Sequence, residues 1–342
     1  MIAVSRPKAQ SEWPINRSQW LCLLVTFALA VPACGDGAGT FTEYSVPEDV
    51  GSVVRGRRNG HMALGPDGSV WVSIVGGVGI ISPAGATSRL GLPYGTPGGI
   101  AAGPDGNMWF TVPSNSTFPG AILPGNRIGR INPNTRGVVD FPVPTDDSDP
   151  FGIVAGPDGN LWFTEVSVNQ IGRITPEGVV NEFKSPADFP SGITVGPDNN
   201  LWFTASQAVG RMDPNGVGSV LMIEDRPGSS ITKGSDGAIW FGVTAGHKVG
   251  RVRPDWSVTF FDLPNFGNAM GLTTASDGSI WYAGRSGIDD KSGRIGHITP
   301  EGAITDFAVP NGARPFDIIE GSDKALWFTQ IDSNRIGRFQ PP

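Results

Sequence analysis

A tryptophan recurs through this chain behind one kind of turn, at Trp71, Trp109, Trp162, Trp202, Trp240, Trp281 and Trp327. Successive copies lie 38 to 53 residues apart, near the ~40–45 residues of a four-stranded propeller blade. The fullest copy, from Pro150 to Phe183, reads as four short strands over 152–155, 161–165, 170–174 and 179–183. Between them stand the turn clusters Gly156-Pro157-Asp158-Gly159 and Thr175-Pro176-Glu177-Gly178, where proline presets φ and glycine takes positive φ. One antiparallel sheet of this size cannot bury both faces, so it is stable only when stacked against copies of itself.

The second hairpin of the unit carries its own mark. A Gly-Arg pair falls at Gly129-Arg130, Gly172-Arg173, Gly210-Arg211, Gly250-Arg251 and Gly337-Arg338, with Gly79-Ile80 and Gly296-His297 as variants. Two marks in the same phase around seven units predict an all-β chain: a seven-bladed β-propeller of four-stranded antiparallel blades. Residues 40–47 have the pattern of an outermost strand, as at 305–310, and the chain stops after the third strand of its last unit, at Arg338-Phe339. Pairing of 40–47 with 335–339 would close the ring through an N-terminal outer strand and remove its open edges.

Ahead of the propeller, Arg6, Lys8 and Arg17 precede an apolar run from Trp20 to Val31. That run is shorter than the ~20 residues of a spanning helix and fits a signal-peptide core. Val31-Pro32-Ala33-Cys34 resembles a bacterial lipobox, which makes 1–33 a signal peptide, Cys34 the lipidation site and 34–39 a short linker; ordinary secretion with cleavage nearby is the alternative. The expected location is outside the cytoplasm, lipid-anchored to the cell envelope or secreted into the periplasm or beyond. Cys22 would leave with the signal, so the mature chain has no partner for an intrachain disulfide. Residues 40–342 then form a single domain.

The formal charge of −7, without Lys or Arg runs, argues against nucleic acid and against an anionic membrane as partners, leaving membrane contact to the lipid anchor alone. A closed ring has no obligatory partner edge, so a monomer is expected.

The units at 192–204 and 334–338, with a Glu-Phe-x-x-Pro type of outer strand, resemble the streptogramin lyases (virginiamycin B lyase family) over residues 40–342. The resemblance implies an elimination in which a histidine base removes a proton beside an ester carbonyl of a cyclic depsipeptide while Mg²⁺ steadies the enolate-like charge. It also implies histidines where the first strands of blades six and seven begin, and two glutamates nearby. Those positions here hold Met270, Phe316, Arg314 and Gln330, none a general base near neutral pH.

The first-strand entries of the other blades are Gly60, Gly98, Phe151, Ser191 and Ser229, and none is a histidine. Of the three histidines, His297 stands in the Gly-Arg register, where a structural role is expected, and His247 in a connection, where an exposed loop histidine is expected. His61, one residue past an entry position, can look into the central channel and is a candidate catalytic residue. Glu165 is the other, being the only Glu in the slot after Trp-Phe-Thr, where the remaining blades hold Ile74, Val112, Ala205, Val243, Gly284 and Gln330. Asp146, Asp147 and Asp149 before Phe151, and Asp289-Asp290 in a long connection, are hard oxygen donors of the kind that hold Ca²⁺ or Mg²⁺, against a solvated-turn reading.

Propeller topology puts the long connections at 113–126 and 284–293 on the face of the entry positions. Phe151, Ser191, Met270, Arg285, Arg314, Phe316 and Gln330 are therefore the expected lining of a partly apolar mouth for a small molecule or peptide. Phe151 and Phe316 serve equally well as plugs of the channel. Two functions of different class follow: an exported binding or sensing propeller that has lost the family chemistry, or an active lyase or hydrolase with a re-sited, metal-assisted centre. A purely structural, protein-binding role is a third, favoured if the mouth is filled.

Overall fold

The computed structural model describes residues 29–32, 39–46, 60–114, 125–244, 246–263, 266–286, 293–330, 333 and 335–342. They form seven antiparallel sheets, one for each recurring tryptophan. Blade three is Pro150–Ala155, Leu161–Glu165, Gln170–Ile174 and Val180–Lys184, in that order from the centre outward. The first strands of consecutive blades touch one another, and that of blade seven touches that of blade one, so the ring is closed.

Closure occurs as the two incomplete ends predict. Thr40–Ser45 pairs antiparallel with Arg335–Gln340, placing Phe41 opposite Phe339 and Ser45 opposite Arg335. Blade seven thus has its three inner strands from the end of the chain and its outer strand from near the start. Leu29–Pro32 adds a fifth strand outside it, with Leu29 opposite Glu43. Most of the expected signal segment, Cys34, Asp289-Asp290 and the greater part of both long connections lie outside the described residues.

The two marks of the repeat share one physical cause, visible in blade three. Trp162 is fully buried, and its indole N–H donates to Asp158 of the preceding turn at 3.0 Å. Arg173 lies directly opposite Trp162 in the neighbouring strand, covers the ring at 5.6 Å and also reaches Asp158 at 3.7 Å. One carboxylate is shared by an indole and a guanidinium that stack on each other, a combination of ion pairing and cation–π attraction. The same set occurs with Asp105, Trp109 and Arg130, with Asp198, Trp202 and Arg211, with Asp236, Trp240 and Arg251, and with Asp323, Trp327 and Arg338.

The glycine of the Gly-Arg pair is required by the residue after the tryptophan. A Cβ on Gly172 would stand 2.1 Å from Phe163 Cζ, so the phenyl ring lies flat on the bare backbone. Blade one departs from both rules together: Val72 replaces the phenylalanine, Ile80 replaces the arginine, and Arg136 from blade two covers Trp71 at 5.1 Å instead. In blade six His297 takes the arginine's place and packs on Trp281 at 4.6 Å, the structural role expected of it.

The core lies between blades rather than within them. Trp162 and Ile171 of blade three pack with Leu201 and Phe203 of blade four, while Leu161 and Phe163 on the opposite face pack with Trp109 and Ile128 of blade two. Each sheet buries both faces on its neighbours, which is why the unit needs its copies.

Candidate functional site

The site expected from topology is the face where first strands begin and second strands end. In blade three Pro150 lies opposite Glu165, so both mark that face. A hydroxyl two residues after the tryptophan ties the entries together. Thr164 accepts from the Gly152 N–H at 2.9 Å and donates to the Ser191 carbonyl of blade four at 2.7 Å. Thr111 does the same between Gly99 and the Phe151 carbonyl, at 2.9 and 2.7 Å. Ser73, Thr204 and Thr329 accept from the entry backbones of blades one, four and seven. Blades five and six hold Gly242 and Ala283 at this slot, and their first strands, Pro227–Lys233 and Phe266–Thr274, are longer and shifted in register.

At the centre of the ring three side chains from three blades meet. The His61 ring stands edge-on to Phe151 at 5.2 Å and to Phe316 at 5.6 Å, and both phenyl rings are buried. Asp317, next to Phe316, places Oδ2 3.7 Å from His61 Nδ1 and accepts from the Met62 N–H at 2.8 Å, so it joins the last blade to the first. His61 Nε2 is buried without a hydrogen-bond partner among the described residues. Phe151, Phe316 and His61 thus pack on one another where the first strands of blades three, seven and one begin.

Met270, Ser191, Arg285 and Arg314 are half-buried. Gln330 is buried, its amide donating to Glu43 at 3.0 Å and accepting from the Ser333 hydroxyl at 2.6 Å. Arg335, opposite Gln330, pairs with the same Glu43.

Glu165 occupies the matching slot of blade three and is wholly buried. Glu182 and the Ser148 hydroxyl lie beside it, yet neither carboxylate oxygen meets hydrogen-bond geometry with a described group. Burial, reinforced by the Glu182 charge, pushes its pKa up to about 8, so Glu165 carries a proton near neutrality. Glu182 accepts the Thr145 N–H at 2.9 Å and its hydroxyl at 3.0 Å.

The implied Mg²⁺ can be tested against the donors present. Among the described residues no group of three or more His, Cys, Asp or Glu side chains stands close enough to hold a metal. Asp146 and Asp147 are exposed and Asp149 is buried, and the three do not converge on such a group. Among the described residues, then, no such donor set for a resident Mg²⁺ is assembled.

Asp317 and Glu182 are the members of these clusters that the sequence did not single out. Asp317 had a signal: Pro315-Phe316-Asp317-Ile318 carries an acid where Pro150-Phe151-Gly152-Ile153 has glycine.

Comparison with known proteins agrees with this architecture. Residues 62–228 and 219–342 match the model of the Virginiamycin B lyase family. The virginiamycin B lyase of Bordetella pertussis is 41% identical over 49 residues, which is 14% of this chain; the match spans 16% of that relative's length. A streptogramin B lyase structure superposes with a TM-score of 0.74 at 26% identity, covering 88% of this chain and 98% of that one. A catalytically inactive histidine-to-alanine variant of virginiamycin B lyase from Staphylococcus aureus, solved with quinupristin, gives 0.72 at 28% identity, covering 88% and 100%.

Proposed function

This chain belongs to the virginiamycin B lyase family, and we propose that it is an exported, ligand-binding member that does not carry out the family's elimination. The observation that carries the proposal is Phe316. It holds one of the two positions where the resemblance implies a histidine base, and its ring is buried and packed on His61. Met270 at the other position has no basic atom. Gln330 is committed to Glu43 and Ser333, and Arg314 brings a cation where a carboxylate is implied. Recognition falls to the entry face beside these rings, where Ser191, Met270, Arg285 and Arg314 offer polar and apolar contact to a small molecule or peptide. Export follows from the leader-like start, with Cys34 as anchor.

A second reading, a lyase or hydrolase with a re-sited centre, is favoured by Glu165, a buried carboxyl whose pKa lies near the working range of a general acid or base. The readings separate on substitution. With a cyclic depsipeptide ester as probe, the binding account expects the wild type, Glu165→Ala and His61→Ala all to leave the ring intact. Ring opening by the wild type that either substitution abolishes would establish the second reading.

A further inference from the structure

Blade three differs from its neighbours in one arrangement of charge. In blades two, six and seven an acid on the outer strand pairs with an arginine on the third: Asp140 with Arg127, Asp306 with Arg294, and Glu43 with Arg335. In blade three Glu182 takes the acid's register, opposite Gly172 as Glu43 is opposite Gly337. The arginine's register, opposite Glu165, holds neutral Gln170. Glu165 then adds a second carboxyl on the same face of the sheet. Two carboxyls share that face, and among the described residues no arginine takes the register that pairs with the acid in those other blades.

We propose that the buried Glu165 carboxyl, on the same face of the sheet as Glu182, is a proton-binding site, and that loss of its proton unlatches the segment that carries Phe151 to the channel. A carboxyl closed to solvent resists ionising beside a second negative charge, because it lacks the solvation that would offset the repulsion. Glu165 is closed to solvent, and neither of its carboxyl oxygens has a partner meeting hydrogen-bond geometry among the described residues. The other charged groups on the adjoining elements leave the pair uncompensated. Lys184, opposite Gln170, is exposed, as are Asp146, Asp147 and Asp188. Asp149 on the loop is buried and itself acidic. Blade two contributes uncharged Asn126 and Ser114 to the same loop.

The pair is joined to the mouth through Glu182. Its two bonds to Thr145 fix the start of a loop in which Ser148 N–H and hydroxyl both donate to Asn126, at 3.0 and 2.7 Å, and the Asp149 N–H donates to Ser114 at 3.0 Å. Asp147 and Asp149 both have positive φ, 52° and 55°, a conformation non-glycine residues keep only where their surroundings hold them. Phe151 follows two residues later and packs on His61. When the proton leaves to solvent, the repelled Glu182 carboxylate turns from Thr145 and the loop loses its first tie.

Blade seven supplies the control, because Gln330 stands in the Glu165 slot and donates its amide to Glu43. Glu165→Gln should fold and copy that bond toward Glu182 permanently. Amide hydrogen exchange at Thr145 and Ser148, corrected for the intrinsic pH dependence of exchange, reads the latch. The wild type should lose protection at least ~10-fold between about pH 6 and pH 9.5, and Glu165→Gln should keep it. An equal loss in both proteins overturns the proposal. Infrared spectra should show a protonated carboxyl near neutral pH in the wild type that is missing in Glu165→Gln; its absence from the wild type would also overturn it. Added Na⁺ or Ca²⁺ should not restore protection at high pH, and restoration would make this a cation site instead.

Discussion

Phe41 stacks on Phe339 with ring centroids 4.5 Å apart and planes 30° from parallel, one residue from near the beginning of the chain and one from its end. Both are buried in the cluster that also holds Phe328, Ile318 and Trp281, so the seam of the ring is packed like any interior. Phe41→Ala should destabilise the propeller by about 3–5 kcal/mol, the usual range for a buried phenylalanine. Val217→Ala, at a side chain 70% exposed, should change stability by less than ~0.5 kcal/mol. Urea unfolding of the two variants measures the contrast, and equal midpoints would mean that the seam is not a structural element.

The contact between Phe163 and Gly172 predicts a repairable lesion. Gly172→Ala puts a methyl group 2.1 Å from the phenyl ring and should cost about 1–3 kcal/mol as an overpacked core. Pairing it with Phe163→Val imitates Val72 beside Gly79, where an added Cβ would stand 2.9 Å from Val72 Cγ1. The double variant should therefore be more stable than the additive sum of the single changes, and strict additivity would contradict the packing account.

These two cases show why the fold was legible. Asp158, Trp162, Phe163, Gly172 and Arg173 depend on one another within a single sheet, at fixed separations in the chain, so their physical coupling appears as a periodic pattern. The functional face depends on contacts between blades that are remote in sequence. Asp317 accepts from Met62 across 255 residues, and nothing in either neighbourhood announces the other. The entry positions were located by repeat register, but the packing of Phe151 and Phe316 on one ring depends on His61 from a third blade. Glu165 stood out as the only Glu in its slot, while Glu182, its partner across the sheet, looked like one of several outer-strand acids.

Thr164 links two blades through one hydroxyl. Thr164→Val keeps the shape and leaves the Gly152 N–H and the Ser191 carbonyl without that partner. A loss of about 1–3 kcal/mol is expected in thermal or urea unfolding, with Thr164→Ser restoring most of it. Identical stability of the valine and serine variants would show that the hydroxyl contributes nothing.

Glu165 sets the sign of a pH effect. Its pKa in the folded chain, about 8, is above the 4.5 of a free glutamate, so between those limits the folded state holds a proton that the unfolded state has released. Stability should therefore fall as pH rises from about 4.5 to about 8 and level off beyond, with a slope approaching one proton in mid-range. Glu165→Gln should remove this slope and be the more stable protein at pH 8. Unfolding midpoints of both proteins across that range check it; parallel curves would contradict the assignment.

The central claim is that this propeller binds without carrying out the elimination. The direct measurement is incubation of the purified chain from residue 35 onward with a streptogramin B type cyclic depsipeptide and Mg²⁺, followed by chromatography and tandem mass spectrometry. The account predicts that the cyclic species persists at its original retention time and fragments as a ring through long incubation. A new peak of unchanged mass with a linear fragmentation pattern, growing with enzyme concentration, would be the product of elimination and would contradict it.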